Sequence, residues 1–232
     1  MSATPSNEVL RAEDLYKSYS GPAGPQPVLE GVSLCLNKGE SISLTGPSGS
    51  GKSTLLQCLG LLSKPDRGKV VLSGQEVDFS KNSRLEALRG EQLGFVFQKH
   101  LLLPELSLLE NVALPLARTC GWNRDTFEKA DVWIDRMGLG HRKEARPSRL
   151  SGGEAQRGAI ARAMVVEPPV LMMDEPTGNL DPELSQDLFV QLLEMCETRG
   201  TGLLLVTHNL QLASQANHHL RLEHHQLETI ER

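Results

Sequence analysis

Gly46-Pro47-Ser48-Gly49-Ser50-Gly51-Lys52-Ser53-Thr54 decides the fold. The apolar run Ser41-Ile42-Ser43-Leu44-Thr45 before it reads as a short strand, and Leu55-Leu56-Gln57-Cys58-Leu59 after it as the start of a helix. The stretch matches G-x-x-x-x-G-K-[ST] in the strand–loop–helix context that a phosphate-binding loop needs. Its glycines let the backbone curl until several N–H groups point at one anion, and the following helix adds the positive end of its dipole. Lys52 can reach the β- and γ-phosphates of a nucleotide, and the Ser53 hydroxyl can hold Mg²⁺. A Gly/Ser-rich surface turn is the plain alternative, which the flanking strand and helix disfavour.

The chain's 232 residues are enough for one α/β domain with a sizeable core and room for an inserted subdomain. The net charge is −5 and there is no basic block, so no nucleic-acid partner is expected. Cys35, Cys58, Cys120 and Cys196 are scattered without a C-x-x-C pair, which argues for reduced thiols rather than a disulfide framework or zinc site. Residues 1–7 are polar and lack an apolar signal core. No apolar run reaches the length of a membrane span, so a membrane role would need partner chains.

Working outward, residues 9–19 alternate loosely and read as an edge strand, 21–27 as a loop because of three prolines and two glycines, and 28–36 as a strand with Val32, Leu34 and Leu36 on one face. Residues 69–72 make a further strand, 82–92 a short helix, and 93–97 a strand that delivers Gln98. Ser107 and Glu110 form a capping box, Pro115 is expected to kink or divide the helix they open, and 124–137 is a second helix. The helix-rich stretch 98–149 breaks the α/β alternation and reads as an inserted helical subdomain. Leu150-Ser151-Gly152-Gly153-Glu154-Ala155-Gln156-Arg157 then opens an Ala-rich helix. Ser151 and Glu154 fit another capping box, but Gly152 and Gly153 leave bare N–H groups that can meet an anion.

Val170-Leu171-Met172-Met173-Asp174 is a buried-strand pattern ending in acid. Asp174 is placed to hold Mg²⁺ opposite Ser53, and Glu175 to take a proton from an attacking water. Asp181 before Pro182 suits a helix N-cap, and 202–207 is another buried strand that delivers His208 near the expected ligand edge. Tyr19 suits either adenine stacking or covering of the core, and Gln98 either Mg²⁺ binding or a polar loop. The tail reads as two strands around a turn; its four histidines are disfavoured as a metal site because neighbours on a strand face opposite ways.

In this order and spacing, the phosphate loop, Gln98, the Leu150–Arg157 stretch, 170–175, Gly178-Asn179-Leu180-Asp181 and His208 resemble the ATPase subunit of an ATP-binding cassette (ABC) transporter over nearly the whole chain. The resemblance implies a RecA-like phosphate-loop NTPase core of α/β class with an antiparallel β edge and an inserted α-helical subdomain. The core would comprise 1–97 and 158–232, and the helical subdomain with the signature motif 98–157. It implies ATP and Mg²⁺, and a homodimer sandwiching two ATP molecules head to tail. The phosphate loop of one copy would then face Ser151, Gly152 and Gly153 of the other. Tyr19 would stack on adenine, Lys52 and residues 46–54 hold the phosphates, Ser53, Gln98 and Asp174 hold Mg²⁺, Glu175 act as base, Asp181 cross the interface and His208 contact the γ-phosphate.

Gln98-Lys99-His100-Leu101-Leu102-Leu103-Pro104, Glu110-Asn111-Val112-Ala113-Leu114-Pro115-Leu116 and Glu175-Pro176-Thr177-Gly178-Asn179-Leu180-Asp181 resemble one branch of that family. It holds lipoprotein-releasing ATPases, MacB-type export ATPases and the cell-division ATPase FtsE. Thr207-His208-Asn209-Leu210-Gln211-Leu212-Ala213 is most similar to the lipoprotein-releasing group, though Asn209 and Lys99 depart from its pattern. That group implies transmembrane permease subunits of the LolC/LolE kind and a peripheral position on the cytoplasmic face of a bacterial inner membrane. Peptide or small-molecule export, and regulation of cell-wall hydrolysis, are the rival expectations within the branch.

Overall fold

The computed structural model describes residues 7–21, 24–176 and 182–230. Two sheets organise the chain. The first is antiparallel, with β1 (Glu8–Gly21), β2 (Gly24–Asn37), β4 (Arg67–Leu72) and β5 (Gln75–Glu76) in the order β2-β1-β4-β5. The second holds β3 (Ser41–Thr45), β6 (Leu93–Val96), β7 (Val170–Asp174), β8 (Gly202–Val206), β9 (His218–Glu223) and β10 (Gln226–Thr229), ordered β10-β9-β3-β8-β7-β6. Strands β9, β3, β8, β7 and β6 run parallel, and β10 closes one edge antiparallel to β9.

Alternation along the parallel strands divides the core. Met172 of β7 and Leu204 of β8 pack with α1 (Lys52–Leu59) and the antiparallel sheet. Leu171, Met173, Leu203 and Leu205 face the other way, onto α3 (Leu108–Cys120), α4 (Arg124–Arg136), α5 (Gly152–Met164) and α6 (Pro182–Arg199). A strand buried on both faces reads as a continuous apolar run, which is why these two were recognisable as parallel-sheet strands. The remaining helices are α2 (Asn82–Gln92), at the expected bounds, and a short α7 (Leu210–Ala213). Among the described residues no helix is long and apolar enough to cross a membrane.

Two expectations are corrected and a third, that Pro115 kinks or divides its helix, loses its second alternative. Strand β1 is not an edge strand, for it pairs with β2 on one side and β4 on the other. Its alternation records one buried face and carries no information about how many ladders flank it. The stretch expected as a loop is largely strand: Gly21 pairs with Gly24, Ser20 with Pro25, Tyr19 with Gln26 and Ser18 with Pro27. Pro25 and Pro27 are tolerated because β2 is the sheet's outer strand, where a missing N–H breaks no second ladder. Pro115 does not divide α3, which runs on to Cys120. Buried Leu108, Val112, Ala113 and Ala117 hold the helix on both sides of the proline, and Leu108 and Leu109 N–H groups are tied to the carbonyls of Ala145 and Lys143.

Candidate functional site

The carboxyl ends of four adjacent parallel strands lie along one edge of the sheet. Strand β3 leads into Gly46, β8 into Thr207 and His208, β7 into Glu175, and β6 towards Gln98. The register aligns them, with Leu44 beside Val206, Val206 beside Asp174, and Met173 beside Val96. This edge is where ligands bind in open α/β sheets.

The phosphate loop is shaped by glycine. Gly46 has φ 143°, and a Cβ there would collide with the carbonyl oxygen of Leu222 on β9. Gly51, at φ 105°, caps α1 without any side-chain hydrogen bond, so the first N–H groups of the helix are not consumed by a cap. Val28 of β2 packs against Gly51, which brings the β1–β2 hairpin up to the loop. Lys52 Nζ donates to the carbonyl oxygens of Gly46 (2.9 Å) and Pro47 (2.8 Å). Ser50 Oγ is buried without a hydrogen-bond partner among the described residues. An orphaned hydroxyl, an uncapped helix start and a lysine at the loop's centre are what a phosphate chain would satisfy. Pro47, Ser48 and Gly49 are exposed on the rim, Ser53 is exposed at the first turn of α1, and Thr54 is half-buried behind it.

Asp174 is half-buried at the end of β7. Burial pushes its carboxyl above the ordinary aspartate range, the Glu175 charge pushes it further, and Lys52 pulls it back. An acid so disfavoured as an anion, and close enough to Lys52 to feel its charge, suits a divalent cation that shares its remaining ligands with phosphate oxygens. No group of three or more His, Cys, Asp or Glu side chains converges among the described residues, and a phosphate-loop Mg²⁺ needs none.

Glu175 follows in the left-handed region, at φ 46°, a conformation that costs a non-glycine residue about 1 kcal/mol. Its N–H donates to Val206 O at 2.9 Å, which sustains that turn. The carboxylate Oε2 then lies 2.8 Å from His208 Nδ1 and accepts from the Thr207 hydroxyl at 3.4 Å. Strain at this point aims the carboxylate off the strand and towards the sheet's ligand edge.

Tyr19 is exposed on the hairpin beside the loop, with the Lys17 ammonium 5.6 Å from its ring centroid. Gln98 is exposed just beyond β6. Asp181 lies outside the described residues. Ser151 caps α5 in a complete capping box, and Gly152 is exposed beside it. The tail histidines do not converge: His219 Nε2 lies 2.9 Å from Thr45 Oγ1, His218 is 3.6 Å from Glu40, and His224 and His225 form the turn between β9 and β10.

Several polar side chains that fix the loop after Gln98 escaped the sequence reading. Buried Asn111 accepts from Leu103 N–H at 2.7 Å and donates to the carbonyls of Leu103, Leu106 and Ser107. Arg162 of α5 donates to Leu101 O (2.6 Å) and His100 O (2.9 Å), and His100 Nδ1 meets Gln156 Oε1 at 2.5 Å. A polar residue at a helix position with a buried face, as Asn111 is, was the only available signal.

The family model of the ABC transporter matches residues 29–178, a span that takes in the phosphate loop, the signature and Glu175. The chain belongs to that family. This cassette is therefore an ATP-binding subunit that hydrolyses ATP. It is 44% identical over 219 residues to the lipoprotein-releasing system ATP-binding protein LolD of Aquifex aeolicus, covering 93% of this chain and 94% of that one. To LolD of Pseudomonas fluorescens it is 44% identical over 224 residues, covering 96% and 98%. Among solved structures, the dimeric structure of the bacterial ABC transporter cassette MJ0796 is 31% identical with a TM-score of 0.86, covering 96% of this chain and 99% of that chain. A dimeric post-hydrolysis state of MJ0796 bound to ADP and Pi is 31% identical with a TM-score of 0.87 over the same shares.

Proposed function

We propose that this cassette is the ATPase of a lipoprotein-releasing system, acting with Mg²⁺ as a homodimer beneath transmembrane permease subunits at the cytoplasmic face of the inner membrane. Its similarity to LolD over nearly the full length of both chains supports the cargo class, and dimeric MJ0796 supports the assembly. The observation that carries the chemistry is the alignment of Lys52, Asp174, Glu175, His208 and Gln98 along one sheet edge.

In this reading the loop N–H groups and Lys52 bind the β- and γ-phosphates, Tyr19 stacks on the adenine, and Ser53, Gln98 and Asp174 hold Mg²⁺. The cation supplies charge neutralisation at the phosphates. Glu175 takes the proton of the attacking water, and His208, fixed by its 2.8 Å contact with Glu175, faces the γ-phosphate. Catalysis is then mostly positioning and electrostatic stabilisation.

The helical part, 98–157, carries the signature to the second copy. Helix α5 packs by Ala163 against Gly94 of β6, and Ser151 stands twelve residues before that point, about 18 Å along the helix axis. That end of α5 is held away from the sheet and presents its N-terminal N–H groups outward, which supports a site completed by another chain.

Glu175→Gln tests the reading. With MgATP this variant should retain nucleotide and accumulate dimer in size-exclusion chromatography, while turnover falls at least about a hundredfold. Normal hydrolysis would place the base elsewhere. Copurified membrane subunits and lipoprotein release from reconstituted vesicles test the cargo; release that persists without this chain, or membrane partners that release nothing, would overturn that part.

A further inference from the structure

Helix α5 starts with a built-in electrostatic conflict. The N-terminus of a helix attracts anions through its free N–H groups and dipole. Here the capping box spends part of that attraction internally: Glu154 Oε2 accepts from Ser151 N–H at 2.7 Å, and Glu154 N–H donates to Ser151 Oγ at 3.2 Å. The box fixes the turn, but it also holds a carboxylate at the Ser151 N–H, in the same first turn of α5 as Gly152 and Gly153. An uncompensated carboxylate there repels any phosphate that approaches the turn.

One residue resolves the conflict. Arg142 Nε donates to Glu154 Oε1, the oxygen not used by the cap, at 2.7 Å. It ends the 3₁₀ turn Gly140–Arg142, which is anchored behind by buried Leu139. On its far side, Lys143 O and Ala145 O accept from the first turn of α3. The guanidinium is therefore delivered from a fixed backbone. His141 Nε2, exposed and 3.8 Å from the same oxygen, is the other titratable group facing this carboxylate. The Glu154 carboxyl is drawn down to about 2, first by the Ser151 N–H and then by Arg142, so it is ionised whenever the cassette works.

We propose that Arg142 is a positioning residue for ATP hydrolysis: it orients and neutralises the Glu154 carboxylate, so that the Ser151–Gly153 turn can receive phosphates held by a second copy. The inference rests on the two-copy site proposed above and adds to it a residue that touches no nucleotide. Its division of labour is specific. Glu154 sets the geometry of the turn, and Arg142 cancels the charge that this geometry brings with it. Losing the cation is thus worse than losing both charges, because Gln at 154 still caps the turn through its amide oxygen.

The test is a charge cycle on full-length protein, reading steady-state ATPase with Mg²⁺. Arg142→Gln should lower kcat about tenfold or more, the scale of one charge-assisted contact, while nucleotide binding measured by fluorescent ATP analogue is unchanged. Arg142→Lys should retain most of the activity. Adding Glu154→Gln to Arg142→Gln should restore activity to within about threefold of wild type, a rescue that a purely structural ion pair would not give. A double variant no more active than Arg142→Gln overturns the proposal, as does full activity of Arg142→Gln. Thermal unfolding of each variant separates these outcomes from misfolding, and Arg142→Lys supplies a readout if Arg142→Gln fails to fold.

Mixed dimers separate this claim from the reading beneath it. Lys52→Ala chains mixed with Ser151→Arg chains should regain one live site per mixed dimer, and Lys52→Ala mixed with Arg142→Gln should do the same. If only the first pair complements, Arg142 does not act on the partner's nucleotide and the proposal falls while the two-copy site stands. If neither does, the two-copy site falls and takes the proposal with it.

Discussion

Asp174→Asn should make the nucleotide-free protein more stable and nearly inactive. The carboxyl of Asp174 is raised above its ordinary value of 3.8, chiefly by burial, next by the Glu175 charge, with Lys52 acting in the opposite direction. An acid whose folded pKa is raised binds its proton more tightly in the folded chain, so its ionised form opposes folding at neutral pH. Asparagine has the same shape and removes both the buried charge and its repulsion with Glu175. Relief of this kind at a functional site is worth about 1 kcal/mol, or about 2–4 °C in Tm for a chain of this size. The pH dependence carries the sign. The gap between variant and wild type should be fully open above the folded pKa of Asp174, narrow as pH falls through that value, and close towards 3.8, where both states take up the proton. Calorimetric unfolding without nucleotide, from mild acid to neutral pH, measures it. MgATP should then stabilise wild type more than the variant, and turnover of the variant should fall at least about a hundredfold. A variant less stable than wild type at neutral pH, or a gap that ignores pH, would refute the claim that Asp174 is held at a cost until a cation arrives.

Two further expectations rest on single positions. Gly46→Ala places a Cβ onto the Leu222 carbonyl at a backbone angle that alanine avoids, so ATP affinity should drop about tenfold or more in a fluorescent-nucleotide titration. Asn111→Ala removes every hydrogen bond that this side chain makes to residues 103–107 and leaves those part-buried backbone groups without their partner. It should cost about 2–3 kcal/mol in urea unfolding, without changing nucleotide affinity of the isolated chain.

The readable parts of this protein are those whose signal is local. The phosphate loop announces itself because its glycines, its lysine and its flanking elements are contiguous. Strands β7 and β8 do so because burial on both faces leaves unbroken apolar runs. The capping boxes at Ser107 and Ser151 appear where the spacing placed them. What failed was information held in a neighbour. Nothing in residues 9–19 says that β4 pairs on the far side, and nothing in 21–27 says that Pro25 and Pro27 would lie on the outer strand of the described antiparallel sheet. Arg142 is nine residues from Ser151 in a segment with no periodicity, and its role exists only because the 3₁₀ turn brings it back to Glu154. His100, Gln156 and Arg162 likewise form one cluster from positions 56 to 62 residues apart.

The same distinction bears on the two-copy site proposed above. Lys52, Asp174, Glu175 and His208 lie at or beyond the carboxyl ends of neighbouring strands β3, β7 and β8, whose register brings those ends side by side. The signature turn is carried by α5, whose far end meets that sheet where Ala163 packs on Gly94, whose middle packs at Gly158 against Leu108 of α3, and whose start is tied through Glu154 to Arg142 of the 3₁₀ turn. The loop after Gln98 is fastened to the same helix through Arg162 and His100. In the two-copy reading proposed above, the sheet edge of one chain and the start of α5 of the other hold the two halves of the chemistry. Closing the site by pairing two copies requires only that each exposed α5 N-terminus meet a phosphate with its local charge already balanced, and within this chain Arg142 is the group that balances it.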